Sequence, residues 1–242
     1  LKPGFAPAQA TLGNMQLEEG RLEEAAASLR RAVPLQPDLL EAHVSLGAAL
    51  LRVKDLNGAV QCYDRAITLK PDCVEAWYGR GAVYIMARRY EQALADYAKV
   101  CSLQPDYPYA CGLWLQNKMM LCDWDDLDAA YARVFRAIEA GMKAVYPFTL
   151  LPTPATAELQ KRCSEIYLND QYPARARPDF RVAEAVGDKL RIGYFSADFY
   201  EHATAYLLAG LLERHDRASF EIIGISFGPR TNDRMQQRVA RA

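Results

Sequence analysis

The feature that most constrains the fold is a period of 34 residues in the first half of the chain. The pair Pro-Asp recurs at residues 37–38, 71–72 and 105–106. Other positions keep the same step with small residues or with large apolar ones: Gly13, Gly47 and Gly81; Ala25, Ala59 and Ala93; Leu29, Tyr63 and Tyr97. A unit of this length holds two short helices and buries its apolar face only against its neighbours. The period therefore predicts a stacked helical array.

Each unit has the residues that a pair of helices needs. Short turns are predicted at Glu19-Gly20, Lys54-Asp55 and Arg89-Tyr90, and a proline closes each unit because it lacks the N–H that a helix interior requires. Small residues let the two helices cross, and larger ones fill the space between units: Leu12, Leu46, Tyr63, Trp77, Tyr84 and Tyr97. The pattern resembles the tetratricopeptide (TPR) repeat, with three units over 6–39, 40–73 and 74–107, so that the array spans 6–107.

Composition excludes several classes of protein. The chain has 51% apolar and 24% charged residues, as in a globular protein, and its net charge of -1 offers no basic field for nucleic acid. No apolar run reaches the roughly 20 residues of a membrane helix. The six cysteines lack metal-ligand spacing and suit a reducing cytosol, so we expect a cytoplasmic protein without metal, membrane or nucleic-acid partners.

Two segments follow the array. Residues 108–142 read as a degenerate TPR-like helix pair, and 143–188 as a proline-containing linker with one helix. The connector at its end carries three arginines that could touch phosphate, but such a charge run is most simply a solvated linker: Arg175, Arg177 and Arg181.

The last segment, 189–242, changes to the pattern of an α/β domain. It reads as a buried strand (190–196), an amphipathic helix (203–216), a second strand (219–228) and a final helix (231–242). Two βα units do not complete a doubly wound sheet, which needs four or more parallel strands to bury both faces. We therefore expect an incomplete domain whose other part lies beyond residue 242.

Polar residues gather directly after the first of these strands. Ser196, Asp198 and His202 lie where α/β folds bind ligands, beyond the carboxyl ends of the strands. His202 is the candidate catalytic group, although a histidine at a helix start is often only a cap. Asp198 is interpreted as a supporting residue that orients the loop. Ser196 lacks the G-x-S-x-G elbow of a hydrolase nucleophile.

The order of these parts resembles the protein O-GlcNAc transferase family. The TPR units precede a Cys122-Asp123-Trp124 segment, a linker helix and then a strand-and-loop motif, with Phe220-Glu221 opening the second strand. The motif residues that match are Leu190, Arg191, Gly193, Tyr194, Ser196, Asp198, Phe199 and His202.

The resemblance implies an all-α TPR superhelix followed by the start of a Rossmann-like glycosyltransferase domain of the GT-B type. Such an enzyme moves N-acetylglucosamine from UDP-GlcNAc to Ser or Thr hydroxyls, with inversion and without a metal or cofactor. His202 matches the family's cleft histidine, assigned either to proton abstraction or to positioning. The donor pocket would lie in the missing C-terminal half, and the TPR groove would hold a protein or peptide acceptor.

Some positions depart from the family. Ala203 stands where the family usually has proline, and Tyr206 where a second histidine is common. The asparagine ladder of the animal enzymes is replaced by Thr11, Ser45 and Gly79.

Two other interpretations of the array stay open. It could only brace the next domain, or the protein could be a TPR peptide-binding adaptor with a vestigial α/β domain. A groove that clamps a terminal carboxylate is disfavoured, because only Asn14 fits among the residues at the clamp positions: Ala10, Asn14, Ser45, Glu75 and Gly79. The sequence does not determine the oligomeric state.

Overall fold

The computed structural model describes residues 5–173 and 189–242, which fall into two compact units. The first unit is helical, and the second combines two parallel strands with two helices. The predicted fold class is confirmed: a TPR array is followed by the beginning of an α/β domain. The three connector arginines of the predicted linker lie outside the described residues: Arg175, Arg177 and Arg181.

Six helices of 13 or 14 residues form the three repeats. They are α1 (Ala6–Glu18), α2 (Leu22–Leu35), α3 (Leu40–Arg52), α4 (Leu56–Leu69), α5 (Val74–Met86) and α6 (Tyr90–Leu103). The third turn lies slightly earlier than predicted, because α6 already begins at Tyr90. Each second helix ends two residues before the proline of the repeat, as the missing proline N–H requires.

Glycines set the distance between the paired helices. A side chain at Gly47 would meet the Tyr63 ring at 2.8 Å, and one at Gly81 would meet the Tyr97 ring at 3.0 Å. Tyr63 also covers Gly79 of the next unit, and its ring is only 3% exposed. At Gly47, Gly79 and Gly81 an aromatic ring therefore lies against helix backbone, whereas Gly13 faces the side chain of Leu29.

A methyl group at Gly79 tests this packing. Because it would overlap the Tyr63 ring, we expect Gly79→Ala to lower the free energy of unfolding by about 1–3 kcal/mol, measured by urea denaturation. Gly210→Ala is the control, since its methyl group meets nothing within 4 Å; it should stabilise its own unit by about 0.5–1 kcal/mol. Equal stability of the Gly79→Ala and wild-type proteins would contradict the close approach.

Three further helices complete the first unit. They are α7 (Ala110–Met120), α8 (Leu127–Glu139) and α9 (Ala157–Gln171), with a 3-10 turn at Pro147–Leu150. The segment after α8 lies along α7, where the Gly112 N–H donates to the carbonyl of Ala144 at 2.9 Å. Tyr109 and Tyr146 stack with their ring centroids 4.4 Å apart. None of the helices in the described parts of the chain is long and apolar enough to cross a membrane.

The second unit consists of β1 (Leu190–Ser196), α10 (Ala203–Arg214), β2 (Phe220–Ser226) and α11 (Arg234–Arg241). The strands are parallel, with Leu190 opposite Phe220 and Ser196 opposite Ser226.

The first strand is less buried in the described residues than the sequence predicted. Ile192, Tyr194 and Ser196 are half-buried, whereas the alternate residue Phe195 is 69% exposed. Strand side chains alternate between the two faces of a sheet. In the described residues the two-stranded sheet is covered on one face only, so β1 does not reach the burial on both faces that strands of a doubly wound sheet have.

Candidate functional site

The candidate site lies at the carboxyl edge of the two-stranded sheet. Because the strands are parallel, the β1–α10 loop and the β2–α11 loop emerge side by side. The Phe227 N–H donates to the Ser196 carbonyl at 3.2 Å and extends the pairing one residue beyond β2. At Gly228 a side chain would overlap the Ala197 carbonyl oxygen, so only glycine lets the loops approach so closely.

Asp233 joins the β2–α11 loop, called the second loop below, to the β1–α10 loop by hydrogen bonds. One carboxylate oxygen accepts from the Gln236 N–H at 2.8 Å and caps α11, while the other accepts from the Glu201 N–H at 3.0 Å. The Thr231 hydroxyl also donates to this carboxylate. Desolvation by itself raises the pKa of Asp233, but these hydrogen bonds to the charged form give a net lowering. Asp233 therefore holds the loop that carries His202.

His202 is the N-cap residue of α10. Its backbone is extended, and its Nδ1 accepts from the Thr204 N–H at 3.2 Å. The Thr204 hydroxyl oxygen lies 3.1 Å from the same nitrogen, and a carboxylate oxygen of Asp198 lies 3.7 Å away. The His202 side chain is 43% exposed. The imidazole is thus held through Nδ1, while the side chain as a whole stays partly exposed.

Ser196 and Asp198 shape the loop. The Ser196 hydroxyl oxygen accepts from the Asp198 N–H at 2.9 Å, which closes a tight turn directly after β1. This contact agrees with a structural role for Ser196. The Asp198 carboxylate lies near the imidazole, although 3.7 Å is too long for a hydrogen bond.

Tyr206 closes the loop from the helix side. Its hydroxyl donates to Glu201 at 2.5 Å, and this bond raises the pKa of Tyr206. The other two histidines make hydrogen bonds within their own unit. His43 lies within 2.9 Å of the Pro37 carbonyl, and His215 lies 2.7 Å from the Tyr194 hydroxyl.

A cavity of about 750 Å³ opens beside the second loop. Phe199 and Ile222 form part of its apolar wall, while its polar wall includes Ser226, Arg230 and Asn232. A guanidinium beside hydroxyl and amide groups is suited to oxygen-rich ligands. Within residues 5–173 and 189–242, no group of three or more His, Cys, Asp or Glu side chains is placed to hold a metal ion.

Comparison with known families covers both units. Models of the tetratricopeptide repeat match residues 13–53 and 44–108. The model of glycosyl transferase family 41 matches residues 121–242, half of the chain. The chain belongs to glycosyl transferase family 41. No curated protein sequence matches it.

Solved structures show the fold of this family 41 chain. A Thermobaculum terrenum O-GlcNAc transferase mutant aligns with 98% of the chain at 22% identity and a TM-score of 0.51. The crystal structure of MamA aligns with 57% of the chain and 81% of its own length, at 23% identity and a TM-score of 0.55. The chain spans only 39% of the length of the Thermobaculum terrenum protein.

The sequence missed two contributors to the site of this family 41 chain, Asp233 and the backbone N–H of Thr204. Asp233 had a usable signal, because an Asp three residues before Gln236 at a helix start is a capping pattern. The amide of Thr204 had none, since every non-proline residue carries one. The catalytic role of His202 and the supporting role of Asp198 remain predictions.

Replacement of Ala203 by proline tests the start of α10. Ala203 is the first helical residue, where the N–H has no intrahelical partner, and His202 before it has the extended backbone that proline favours. We expect Ala203→Pro to stabilise the second unit by about 0.4–1 kcal/mol, measured by hydrogen exchange of α10 amides. Leu207→Pro, inside α10, should destabilise it by about 3 kcal/mol. Destabilisation by Ala203→Pro would contradict the helix start.

Proposed function

We propose that this chain is the N-terminal part of a glycosyltransferase that moves N-acetylglucosamine from UDP-GlcNAc to Ser or Thr hydroxyls of proteins. The observation that carries the proposal is the family 41 match over residues 121–242, which includes the loop that carries His202. The preceding helical array supports a protein acceptor, because TPR superhelices offer a concave surface to extended peptides.

The proposed reaction is a direct displacement. The acceptor hydroxyl oxygen attacks the anomeric carbon, the bond from that carbon to the diphosphate oxygen breaks, and UDP leaves with the electron pair. The hydroxyl proton passes to a base or to a phosphate oxygen. One displacement inverts the anomeric centre, and the proposed transfer uses no metal or cofactor.

The loops around His202 are proposed to form one wall of the cleft. His202 faces solvent from a loop that is held by Asp233 and by the backbone of the second loop. The groups that bind uridine and diphosphate are proposed to lie in a second Rossmann-like half. All six cysteines are free thiols, which supports the proposed cytoplasmic location.

UDP binding by the full-length gene product tests this function. Titration calorimetry should detect UDP, and mass spectrometry should detect an acceptor peptide heavier by one N-acetylhexosamine. Residues 1–242 alone should not transfer sugar. Failure of the full-length protein to bind UDP would instead favour the adaptor, whose peptide binding would persist without the nucleotide.

A further inference from the structure

The hydrogen bond at His202 Nδ1 determines which nitrogen of the ring carries the proton. The Thr204 amide is the second N–H of α10 and has no partner within the helix. An amide N–H can only donate, so the Nδ1 that faces it at 3.2 Å must offer a lone pair. The neutral ring then carries its hydrogen on Nε2.

The opposite tautomer is disfavoured by the same contacts. A hydrogen on Nδ1 would face the Thr204 N–H, donor against donor, and would leave that amide without its cap. The Thr204 hydroxyl oxygen at 3.1 Å could accept from such a hydrogen, but the amide would still have lost its acceptor, and the Asp198 carboxylate at 3.7 Å is beyond hydrogen-bond distance. The Thr204 hydroxyl, at 3.1 Å, can rotate to donate to the same lone pair.

We propose that the backbone amide of Thr204 fixes His202 as the Nε2–H tautomer, so that His202 serves the transfer as a hydrogen-bond donor and not as its general base. This role rests on the proposed function. In the neutral ring the only lone pair belongs to Nδ1 and is used by the helix cap. The Nε2–H of this partly exposed side chain is suited to an oxygen of the acceptor hydroxyl or of the sugar nucleotide. Thr204 is thereby a positioning residue.

The proposal is tested first without any activity measurement. In protein with labelled histidine and backbone nitrogens, NMR should show Nδ1 unprotonated at His202, with a scalar coupling across the hydrogen bond to the Thr204 amide nitrogen. The chain has only three histidines, so each ring can be assigned from single variants. A proton on Nδ1, or absence of the coupling in the wild-type protein, would overturn the proposal.

Two substitutions at Thr204 separate the amide from the hydroxyl. Thr204→Val keeps the N–H and should keep the coupling. Thr204→Pro removes the N–H, so the tautomer should no longer be fixed and Nδ1–H should become detectable. Proline at this helical position is tolerated elsewhere in the chain, where Pro7 is the second residue of α1. An unchanged tautomer in folded Thr204→Pro would overturn the role of the amide.

The donor role is tested in the full-length enzyme with His202→Asn and His202→Ala. Asparagine caps helices well and offers an amide N–H, but it cannot act as a base. We expect kcat of His202→Asn to exceed that of His202→Ala by about tenfold. Equal loss in both variants would overturn the donor role. Absence of transfer by the wild-type enzyme would instead refute the proposed function, while the NMR coupling would still decide the state of the ring.

Discussion

Replacing Arg80 by methionine is expected to lower the free energy of unfolding of the helical unit by about 3–5 kcal/mol. Arg80 lies on α5 and forms a two-point ion pair with Asp96 on α6, at 2.7 and 2.9 Å. The Asp96 side chain is only 4% exposed and that of Arg80 17%. Removing the cation leaves a buried carboxylate without its partner, and such a charge is strongly destabilising.

Arg80 also joins neighbouring repeats. It donates to Asp64 on α4 at 2.5 Å and lies over the Trp77 ring at 4.7 Å from the centroid. Asp64 is 51% exposed and can be hydrated when Arg80 is absent. The expected loss of stability therefore comes mainly from Asp96.

The control is the double variant Arg80→Met with Asp96→Leu, compared by urea denaturation. Replacing both charges by apolar groups removes the buried carboxylate, so most of the lost stability should return. A double variant as unstable as Arg80→Met alone would show that packing of the arginine, and not its charge, is what matters.

The free energy of unfolding that is lost in Arg80→Met should depend on pH. Burial already raises the pKa of Asp96, and Arg80 opposes this shift. Without Arg80 the folded-state pKa rises further above the unfolded value. A protonated Asp96 carboxyl tolerates burial, so the loss of stability in Arg80→Met should be small below the pKa that Asp96 has in the unfolded chain. The loss should grow as pH rises from there through the pKa that Asp96 has in the folded variant. A loss that is independent of pH would contradict this origin.

The second large effect is expected at His202. In the full-length enzyme His202→Ala should lower kcat by about 10²–10³-fold, the usual effect of removing a positioned hydrogen-bond donor from a polar transition state. Asp198→Asn is the matched control, because the amide keeps the shape of the side chain and the carboxylate is 3.7 Å from the ring. We expect this control to stay within about tenfold of the wild-type kcat, since the Asp198 carboxylate is too far from the ring for a hydrogen bond.

The kcat values of the wild-type protein and the two variants are compared from initial rates of sugar transfer at a saturating concentration of UDP-GlcNAc. Circular dichroism and the hydrogen exchange of α10 amides show whether each variant keeps its fold. Transfer at the wild-type rate by His202→Ala would remove His202 from the mechanism.

The helical array could be predicted almost completely from the sequence, because its packing repeats with the chain. Gly47 and Tyr63 stand at fixed positions in their unit, and the structure places the ring against that glycine. The ion pair of Arg80 and Asp96 could not be predicted, because it interrupts the apolar pattern at positions that the other repeats do not share. A sequence period predicts the contacts that recur in every repeat, but it does not predict a contact that is made in one repeat only.

The candidate site was predicted only in part. The polar residues after β1 indicated the loop and His202, because ligands in α/β folds lie beyond the strand ends. The hydrogen bond from the Glu201 N–H to Asp233 joins segments that are more than 30 residues apart in the chain, so the local sequence does not predict it. The proposed tautomer of the His202 ring depends on the backbone amide of Thr204, and a backbone amide cannot be recognised from the residue type. The burial of β1 was overestimated, because an apolar run alone does not show how many faces of a strand are covered.

Transfer by the full-length gene product tests the central claim most directly. Wild-type and His202→Ala proteins would be incubated with UDP-GlcNAc and a library of Ser- and Thr-containing peptides, and free UDP and modified peptide would both be quantified. The proposed function predicts that the wild-type protein forms the two products in equal amounts and that His202→Ala forms them at least about 10²-fold more slowly. A wild-type protein that binds acceptor peptides but neither binds UDP nor modifies any peptide would contradict it.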